Sequence, residues 1–394
     1  MTTYIEDSPR ANLAGWITEA VTAGTATAAA VITPWASPYA HVGGPGAKPG
    51  IGPRTQEFRD HGVAYWFDPM THALQMPGVG DWRYYTGYNL WGGPLGDLTT
   101  DAFRREHVRR VFRVQDEIQA PHLAPAPLLP TGLNNLSTLA LETSRVAIEA
   151  DANTRLTIAG LGSFWSDGSG LDAHIGSLAT LQPSGWFVSY VHPATTVPPR
   201  LSDADVFGVA RTVRALSPYA PVHVSHGDFA ALPAVAAGAI SVGTGWDNRQ
   251  RSLAATDYAP RPVPPPGAPP QRGGWLERPT FVGLLGSLSK TEGATLRRQD
   301  AALYARLGGM PTSPPSRHDL YLHHVAQLDS AVQAVQAAGN DEARFRTLDA
   351  MYTAAAANWT AVSAATAIPN RAGQWITPLQ MGLRLWAASE GWAH

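Results

Sequence analysis

The chain has 394 residues, a formal net charge of −2 and a hydrophobic content of 44%. This length suits one large α/β domain with an appendage, and the charge balance gives no sign of a polyanion partner over the whole surface, although a local basic patch is compatible with it. The chain has no cysteine, which excludes disulfide bonds, thiolate metal ligands and a cysteine nucleophile.

The N-terminal residues have neither a basic region nor an apolar stretch, so they do not predict a secretory signal peptide. The longest apolar run, residues 20–38, is interrupted by Gly24 and Pro34, which argues against a membrane-spanning helix. We therefore expect a cytoplasmic protein without a membrane partner. We also expect neither a bound metal nor an organic cofactor, and the oligomeric state is left open.

Short apolar runs rich in β-branched and aromatic residues recur along the chain and end in Pro, Gly, His or Asp. Their length and composition are typical of buried parallel strands. The seven clearest runs and a plausible eighth are residues 28–34, 63–69, 120–127, 155–162, 185–193, 221–227, 239–245 and 280–286. Helical patterns fill the intervals at residues 99–118, 136–152, 201–217 and 228–238.

This alternation of strand and helix predicts a (β/α)8 TIM-type barrel over residues 1–290, with a doubly wound parallel sheet as the alternative. Residues 258–274 are too rich in proline to pack as helix or sheet and predict a long loop. Residues 291–394 contain only helical patterns, which predict a helical appendage packed on the barrel.

Two acids follow predicted strands at the edge where barrel active sites are formed. Asp68 ends an apolar aromatic strand, and Pro69 stops that strand at once. Asp247 follows the seventh strand and is followed in turn by Arg249 and Arg251, which suit phosphate and base-edge contacts. Each acid is either a catalytic carboxylate, because burying an acid is costly unless it is used or paired, or a turn residue that caps the next segment.

Further side chains and glycines follow the same strands and are candidate substrate contacts. Gly243 and Gly245 allow a ligand to approach the backbone closely. The other candidates could instead have purely structural roles. For His226 this alternative is a structural hydrogen bond. These other candidates are Ser163, Trp165, His192, His226 and Gly227.

Two surface features could serve nucleic-acid binding. The long aromatic loop 76–97, with Tyr84 and Tyr85, predicts an ordered lid or a stacking platform for bases, or else a hydrophobic plug. Arg105, Arg109 and Arg113 recur every four residues on a predicted helix and form a stripe. That stripe is either a surface that follows phosphates or a solvated helix face paired with acids. The histidines at 318, 323 and 324 lack the spacing of a zinc motif.

Residues 226–252, HGDFAALPAVAAGAISVGTGWDNRQRS, resemble the corresponding part of tRNA-guanine transglycosylases. In that family an aromatic-Asp pair carries the nucleophile ahead of an Arg-bearing loop, which corresponds to Trp246 and Asp247 here. The family's other catalytic Asp corresponds to Asp68. The resemblance also implies a (β/α)8 barrel, in agreement with the strand count.

The chain departs from this family at two points. The family's zinc site needs three cysteines, which are absent, and its Asp-Ser-Gly-Gly-Phe-Gln run is here Asp68-Pro69-Met70-Thr71. The nearer comparison is therefore with relatives that exchange or excise a base in DNA. The resemblance implies a DNA glycosylase or transglycosylase acting on a flipped-out base of duplex DNA, in phage defence or phage DNA modification.

The implied mechanism uses two carboxylates, as glycoside hydrolysis does. Asp247 would face C1′ of the sugar, and Asp68 would act as general acid/base or bind the base, with a separation of about 5–9 Å between them. Two alternatives stay open. The glycine-rich strand end also suits a phosphate-binding barrel enzyme acting on a small metabolite, and the barrel could be a non-catalytic binding module.

Overall fold

The computed structural model describes residues 2–7, 13–32, 51–76, 98–258, 277–311 and 314–392. Its centre is a curled parallel sheet in the order β3-β2-β1-β8-β7-β6-β5-β4, and a short strand β9 adds to β6. The strands are β1 Thr3–Asp7, β2 Ala28–Ile32, β3 Ala64–Asp68, β4 Leu128–Leu129, β5 Arg155–Leu161, β6 Gly185–His192, β7 Val222–Ser225, β8 Ser241–Thr244 and β9 Leu253–Ala254.

Helices follow or precede most of these strands and cover the outer face of the sheet. The longer ones are α1 Leu13–Thr22, α2 Ile51–Asp60, α3 Asp101–Glu117, α4 Asn135–Ala150, α5 Ser169–Ala179 and α6 Asp203–Leu216. Short helical turns are Thr71–Gln75, Gly162–Trp165, Asp228–Ala231, Leu232–Ala236, Asn248–Arg251 and Ala255–Tyr258. A capping box starts α6, because Ser202 and Asp205 each accept a hydrogen bond from the other's backbone N–H.

The curl of the sheet brings side chains from distant strands together in its interior. The rings of Trp66 on β3 and Phe187 on β6 have centroids 5.1 Å apart, and His223 on β7 lies 4.8 Å from Phe187. Tyr4 on β1 packs edge-on against Trp66 at 5.6 Å. These four rings fill the concave side of the sheet, as inward side chains do in barrels.

The neighbour order of the strands is the cyclic order of a (β/α)8 barrel that is open between β3 and β4. The described residues therefore form a strongly curled sheet, and the predicted closed barrel is not shown. Side chains cross the opening. The Gln115 amide donates to the carbonyls of Phe67 and Leu123 and accepts from the Leu123 N–H, and the Thr71 hydroxyl exchanges hydrogen bonds with the backbone of Ala126.

Three strand predictions need correction. β1 at Thr3–Asp7 was not predicted, because a five-residue strand at the start of the chain has no preceding helix to mark it. The run 120–127 is not a strand, since the pairing with β5 falls at Leu128–Leu129, with one isolated bridge from Leu123 to Arg155. The predicted eighth strand at 280–286 is instead an antiparallel pair outside the sheet, β10 Thr280–Phe281 with β11 Gly286–Ser287.

The C-terminal part is helical, as predicted. It consists of α7 Lys290–Gln299, α8 Ala301–Arg306, α9 Arg317–Gln336, α10 Asp341–Ala365 and α11 Ala372–Ser389. These helices share one hydrophobic core with the sheet's outer helices, in which Trp359 and Trp386 are fully buried. Among the described helices, none combines the length and apolarity needed to span a bilayer.

Candidate active site at the carboxyl edge of the sheet

Glu6 lies at the carboxyl end of β1 and points into the interior of the curled sheet, where it is fully buried. Its Oε1 accepts hydrogen bonds from the Ser225 hydroxyl at 2.8 Å and from the His226 backbone N–H at 2.9 Å. Its other oxygen, Oε2, has no hydrogen bond of normal geometry to any described residue. A buried carboxyl group with one unused oxygen is costly for stability, which makes it a candidate for chemistry rather than for structure.

Gly243 on β8 leaves the space that Glu6 occupies. A Cβ atom at this position would lie 2.2 Å from Glu6 Oε1 and 2.8 Å from the Tyr4 ring. The sequence analysis predicted that Gly243 lets a ligand approach the backbone closely. In the structure the Glu6 side chain occupies that space instead. Gly245 is similar, since a Cβ there would meet Gln250 at 2.4 Å.

Asp68 ends β3, two strands away from Glu6 in the sheet. Its Oδ1 accepts a 2.6 Å hydrogen bond from the backbone N–H of Met70, which adopts a left-handed conformation with φ of 50°. This tight turn starts the short helix that carries His72, so that His72 folds back beside the strand ends and is buried. The Asp-Pro-Met-Thr-His sequence therefore delivers a carboxyl group and an imidazole to the same edge.

The two carboxyl groups differ in acidity. Burial raises the pKa of Glu6 to about 8, and the nearby charge of Asp68 adds to the effect. Burial also raises the pKa of Asp68, to about 6, against a lowering effect of the Met70 N–H. At neutral pH Glu6 is therefore mostly protonated and Asp68 mostly ionised. Such a divergence between neighbouring acids is the usual sign of an acid and a base with separate roles.

Three histidines border the carboxyl groups. Burial lowers the pKa of His72 and of His192, at the end of β6, to about 4, and that of His226 to about 3. The His226 Nδ1 is 2.8 Å from the Ser225 hydroxyl, and its Nε2 has no partner among the described residues. All three imidazoles are thus neutral near pH 7 and act as hydrogen-bonding groups rather than as cations.

A cavity of about 20 Å³, enough for roughly one water molecule, lies beside these histidines and is lined by His192, Ser225, His226 and Gly227. The predicted contact residue Gly227 donates its N–H to the Gly243 carbonyl at 3.1 Å. Two of the predicted residues, Asp68 and His226, are therefore close to Glu6, and a third, His192, lines the same small cavity as His226.

Asp247 has the geometry of a capping residue. It is buried after β8, its Oδ1 accepts from the Gln250 N–H at 3.2 Å, and the Gln250 side chain accepts from the Asp247 N–H at 3.0 Å. This reciprocal pair starts the helical turn Asn248–Arg251. The turn-residue alternative for Asp247 thus has direct support, and its pairing with Asp68 stays a prediction.

Arg251 lies in a buried ion pair. Its Nε donates to Asp228 Oδ2 at 2.6 Å, with both side chains at most 2% exposed. The ring of His324 on α9 lies 3.7 Å from Asp228 and is hydrogen-bonded to the hydroxyls of Thr244 and Thr280. This network joins the sheet to the C-terminal helices, so the role for Arg251 that the structure supports is structural.

The remaining predicted contact residues with described side chains lie in other surroundings. Trp246 stacks on Tyr321 at 5.5 Å and is 1% exposed, in the core between sheet and helices. Trp165 is equally buried and donates to the Gly160 carbonyl. The Ser163 hydroxyl donates to the carbonyl of Pro130 at 2.6 Å. These packing and hydrogen-bond roles are the structural alternatives that the sequence left open.

The arginine stripe on α3 is neutralised by acids. Arg105 pairs with Asp101 and Glu149, and Arg109 pairs with Glu106. This corresponds to the solvated helix face rather than to a surface that follows phosphates. Tyr84, Tyr85 and the side chain of Arg249 lie outside the described residues.

Glu6 was missed by the sequence reasoning, which treated the N-terminal residues only as a possible signal peptide. The available signal was the run TYIED, a short apolar strand that ends in two acids, in the same pattern as the AYWFD run that ends in Asp68.

Within the described ranges, no group of three or more His, Asp or Glu side chains is arranged to hold a metal ion. Comparison with protein-family models and with curated proteins finds no match to this chain.

Proposed function

We propose that this protein cleaves or exchanges the N-glycosidic bond of a nucleoside unit, with Glu6 as general acid and Asp68 as nucleophile or electrostatic stabiliser. The observation that carries the proposal is the pair of buried carboxyl groups, with pKa values of about 8 and about 6, at the carboxyl ends of β1 and β3. Strands two apart have backbones roughly 10 Å from each other. Side chains that converge from such strands suit the carboxyl separations that glycosidic chemistry uses.

In this mechanism the bond between C1′ and the base nitrogen breaks, and its electron pair stays on the base. The protonated Glu6 gives its proton to the leaving base, while the Asp68 carboxylate attacks or stabilises the positively charged C1′. A water molecule, or a second base in an exchange reaction, then bonds to C1′ and gives a proton to the Glu6 carboxylate. Where Asp68 has bonded to C1′, that bond breaks in this step and Asp68 leaves as a carboxylate. The His226 backbone N–H and the Ser225 hydroxyl keep the Glu6 carboxyl group in position.

Our preferred substrate is a modified base in duplex DNA, flipped out to reach the carboxyl edge of the sheet. The support is the resemblance of residues 226–252 to base-exchanging enzymes. The proposal includes closure of the sheet into a barrel, which the Gln115 and Thr71 bridges between β3 and the segment before β4 favour. It also includes a cytoplasmic setting, where such DNA would be found.

A second candidate is a barrel enzyme that acts on a small phosphorylated metabolite. The observation in its favour is that the arginines expected to hold a DNA backbone, Arg105, Arg109 and Arg251, are paired with acids of the protein. A duplex-binding surface needs cations that are free to replace counterions around the phosphates.

The test is release of free base from nucleosides, nucleotides and duplex DNA carrying unmodified and modified bases. We expect Glu6→Gln and Asp68→Asn each to lose at least about a thousandfold in rate. Glu149→Gln, a surface acid paired with Arg105, serves as the matched control and should retain full activity. Asp247→Asn distinguishes Asp68 from Asp247 as the nucleophile. This variant should keep its rate if Asp68 is the nucleophile and lose it if Asp247 is. Wild-type rates in both Glu6→Gln and Asp68→Asn would exclude the proposed mechanism.

A further inference from the structure

A second polar cavity, of about 400 Å³, lies between the loop after β6 and the C-terminal helices. Its walls include Arg200 from the loop, Arg278 and Ser287 from the β10–β11 region, and Arg371 and Trp375 from the start of α11. This volume is within the range of about 300–1,000 Å³ that is typical of small-ligand pockets. The cavity therefore has room for a ligand of the size of one nucleotide.

The charge in this cavity is unbalanced in favour of cations. Arg371 forms a two-pronged pair with Glu292, which is the one acid among the described residues that line the cavity. Arg200 donates to the neutral amide of Gln374 at 2.6 Å. Within the described ranges, neither Arg200 nor Arg278 has an ion pair with an acid. Two guanidinium groups thus stay without a counter-charge, which suits an anionic ligand with several oxygens.

Two buried donors in the wall also lack partners. The Ser287 hydroxyl and the Trp375 indole N–H belong to side chains that are 3% and 4% exposed, and neither has a hydrogen bond to a described residue. Buried donors are normally satisfied, so two that line one cavity call for an explanation. Both donor atoms are shielded from solvent, so a ligand with acceptor oxygens would bond to them after a small rearrangement of the wall, while it uses the arginines directly.

The cavity is connected to the candidate active site through the backbone. His192 ends β6 and lines the small cavity next to Ser225 and His226, and its ring is hydrogen-bonded to the backbone of Arg200. The arginine whose main chain holds an active-site histidine therefore extends its side chain along the wall of the cavity. A ligand that fills the cavity would end close to the carboxyl edge of the sheet.

We propose that this cavity binds a phosphate group of the substrate through Arg200, Arg278, Ser287 and Trp375. The ligand class is a phosphomonoester of nucleotide size or the backbone phosphodiester of a nucleic acid strand. Binding of phosphate stands on the cavity alone, whereas its assignment to the substrate rests on the proposed glycosidic function.

The test measures binding by calorimetry with four probes: inorganic phosphate, a deoxynucleoside, its 5′-monophosphate and a short duplex oligonucleotide. The full-length protein is compared with Arg278→Gln and Ser287→Ala, and with Arg346→Gln as a surface control that pairs with Glu342. We expect the wild type and the control to bind a phosphate-bearing probe, and Arg278→Gln to bind it roughly tenfold more weakly. The deoxynucleoside should bind equally to all four proteins.

The probes separate the two sources of phosphate. Tighter binding of the monophosphate favours a small phosphomonoester, and tighter binding of the duplex favours a nucleic acid backbone. Failure of every phosphate-bearing probe to bind the wild type, or binding that is unchanged in both Arg278→Gln and Ser287→Ala, would overturn the proposal. Loss of phosphate binding in these variants, together with wild-type base release in both Glu6→Gln and Asp68→Asn, would retain the phosphate site and reject the proposed glycosidic mechanism.

Discussion

The carboxyl group of Glu6 is held by the backbone N–H of His226, which lies 220 residues later in the chain, across a 2.9 Å hydrogen bond. The bond joins the end of β1 to the loop after β7, and β8 lies between these strands in the sheet. His226 offers its N–H in this direction because it adopts a left-handed backbone conformation with φ of 53°. A strained backbone at a strand end is a feature of functional sites.

The rate of base release should depend on pH in a bell shape. Asp68, with a pKa of about 6, must be ionised, and Glu6, with a pKa of about 8, must be protonated. The rate should therefore fall below about pH 6 and above about pH 8. Glu6→Gln should abolish the alkaline limb in its residual activity, whereas Glu149→Gln should keep both limbs. A residual rate in Glu6→Gln that still falls above pH 8 would assign that limb to another group.

Stability should also respond to the acidity of Glu6. The folded pKa of about 8 is above the ordinary value of 4.5, so the folded state holds the proton more tightly than the unfolded chain. This contribution to stability is present below pH 4.5 and is lost as pH rises to 8, by up to about 1.4 kcal/mol per pH unit. Denaturant unfolding of Glu6→Gln should lack this slope. Parallel pH profiles of wild type and Glu6→Gln would contradict the raised pKa.

The lowered pKa values of His72, His192 and His226 affect the stability of the protein at acidic pH. Because the unfolded chain takes up these protons first, stability should fall as pH drops below about 6.5. Replacing His192 with Gln should flatten the decline between about pH 6.5 and 4. Stability that declines equally steeply in wild type and His192→Gln over this range would show that His192 does not contribute.

Gly243→Ala should damage the site through packing alone. The added Cβ would overlap with Glu6 Oε1 and with the Tyr4 ring, so the carboxyl group must move. We expect a loss of about 1–3 kcal/mol in the free energy of unfolding and a fall in the rate of base release. Gly176→Ala is the matched control, because it lies in α5 with nothing within 4 Å of the added Cβ. The control should be neutral or slightly stabilising.

The bridge across the open side of the sheet should be important for stability. Gln115→Leu removes the partners of the Phe67 carbonyl and of both backbone groups of Leu123. Buried polar groups left without partners cost about 1–3 kcal/mol each, so the free energy of unfolding should fall by several kcal/mol. Gln56→Leu, an exposed glutamine in α2, should change it little. Equal stabilities of the two variants would mean that the bridge does not hold β3 to the segment before β4.

Arg251 and Asp228 should behave as a structural pair. Because both are buried, removing one partner leaves an uncompensated charge, and Arg251→Met should lose about 3–5 kcal/mol. The double variant Arg251→Met/Asp228→Asn should recover part of this loss in a thermal unfolding measurement. A stable Arg251→Met variant with weakened phosphate binding would instead support the ligand role that the sequence predicted for Arg251.

The sequence was informative where a pattern is local. The strands that end at Asp68 and His192 are apolar runs with clear stops, and the box of Ser202 and Asp205 marks the start of α6. A helix cap depends on neighbouring residues, and a buried parallel strand has a local composition rich in apolar residues, so residue types predict both. Asp68 was recognised as a site candidate for the same reason, because it is an acid placed directly after such a strand.

The tertiary structure decided which polar residues meet. The local pattern at Glu6 is an acid near the end of an apolar strand, but this pattern does not name its partners, which are 219 and 220 residues away. Arg251 and Trp246 resemble ligand contacts in sequence but lie in an ion pair with Asp228 and in a stack on Tyr321. Composition and periodicity thus predicted most of the sheet strands and the C-terminal helices, but not β1 or the position of β4. Only the curl of the sheet decided which carboxyl groups share its interior, because burial and charge pairing depend on contacts between distant segments.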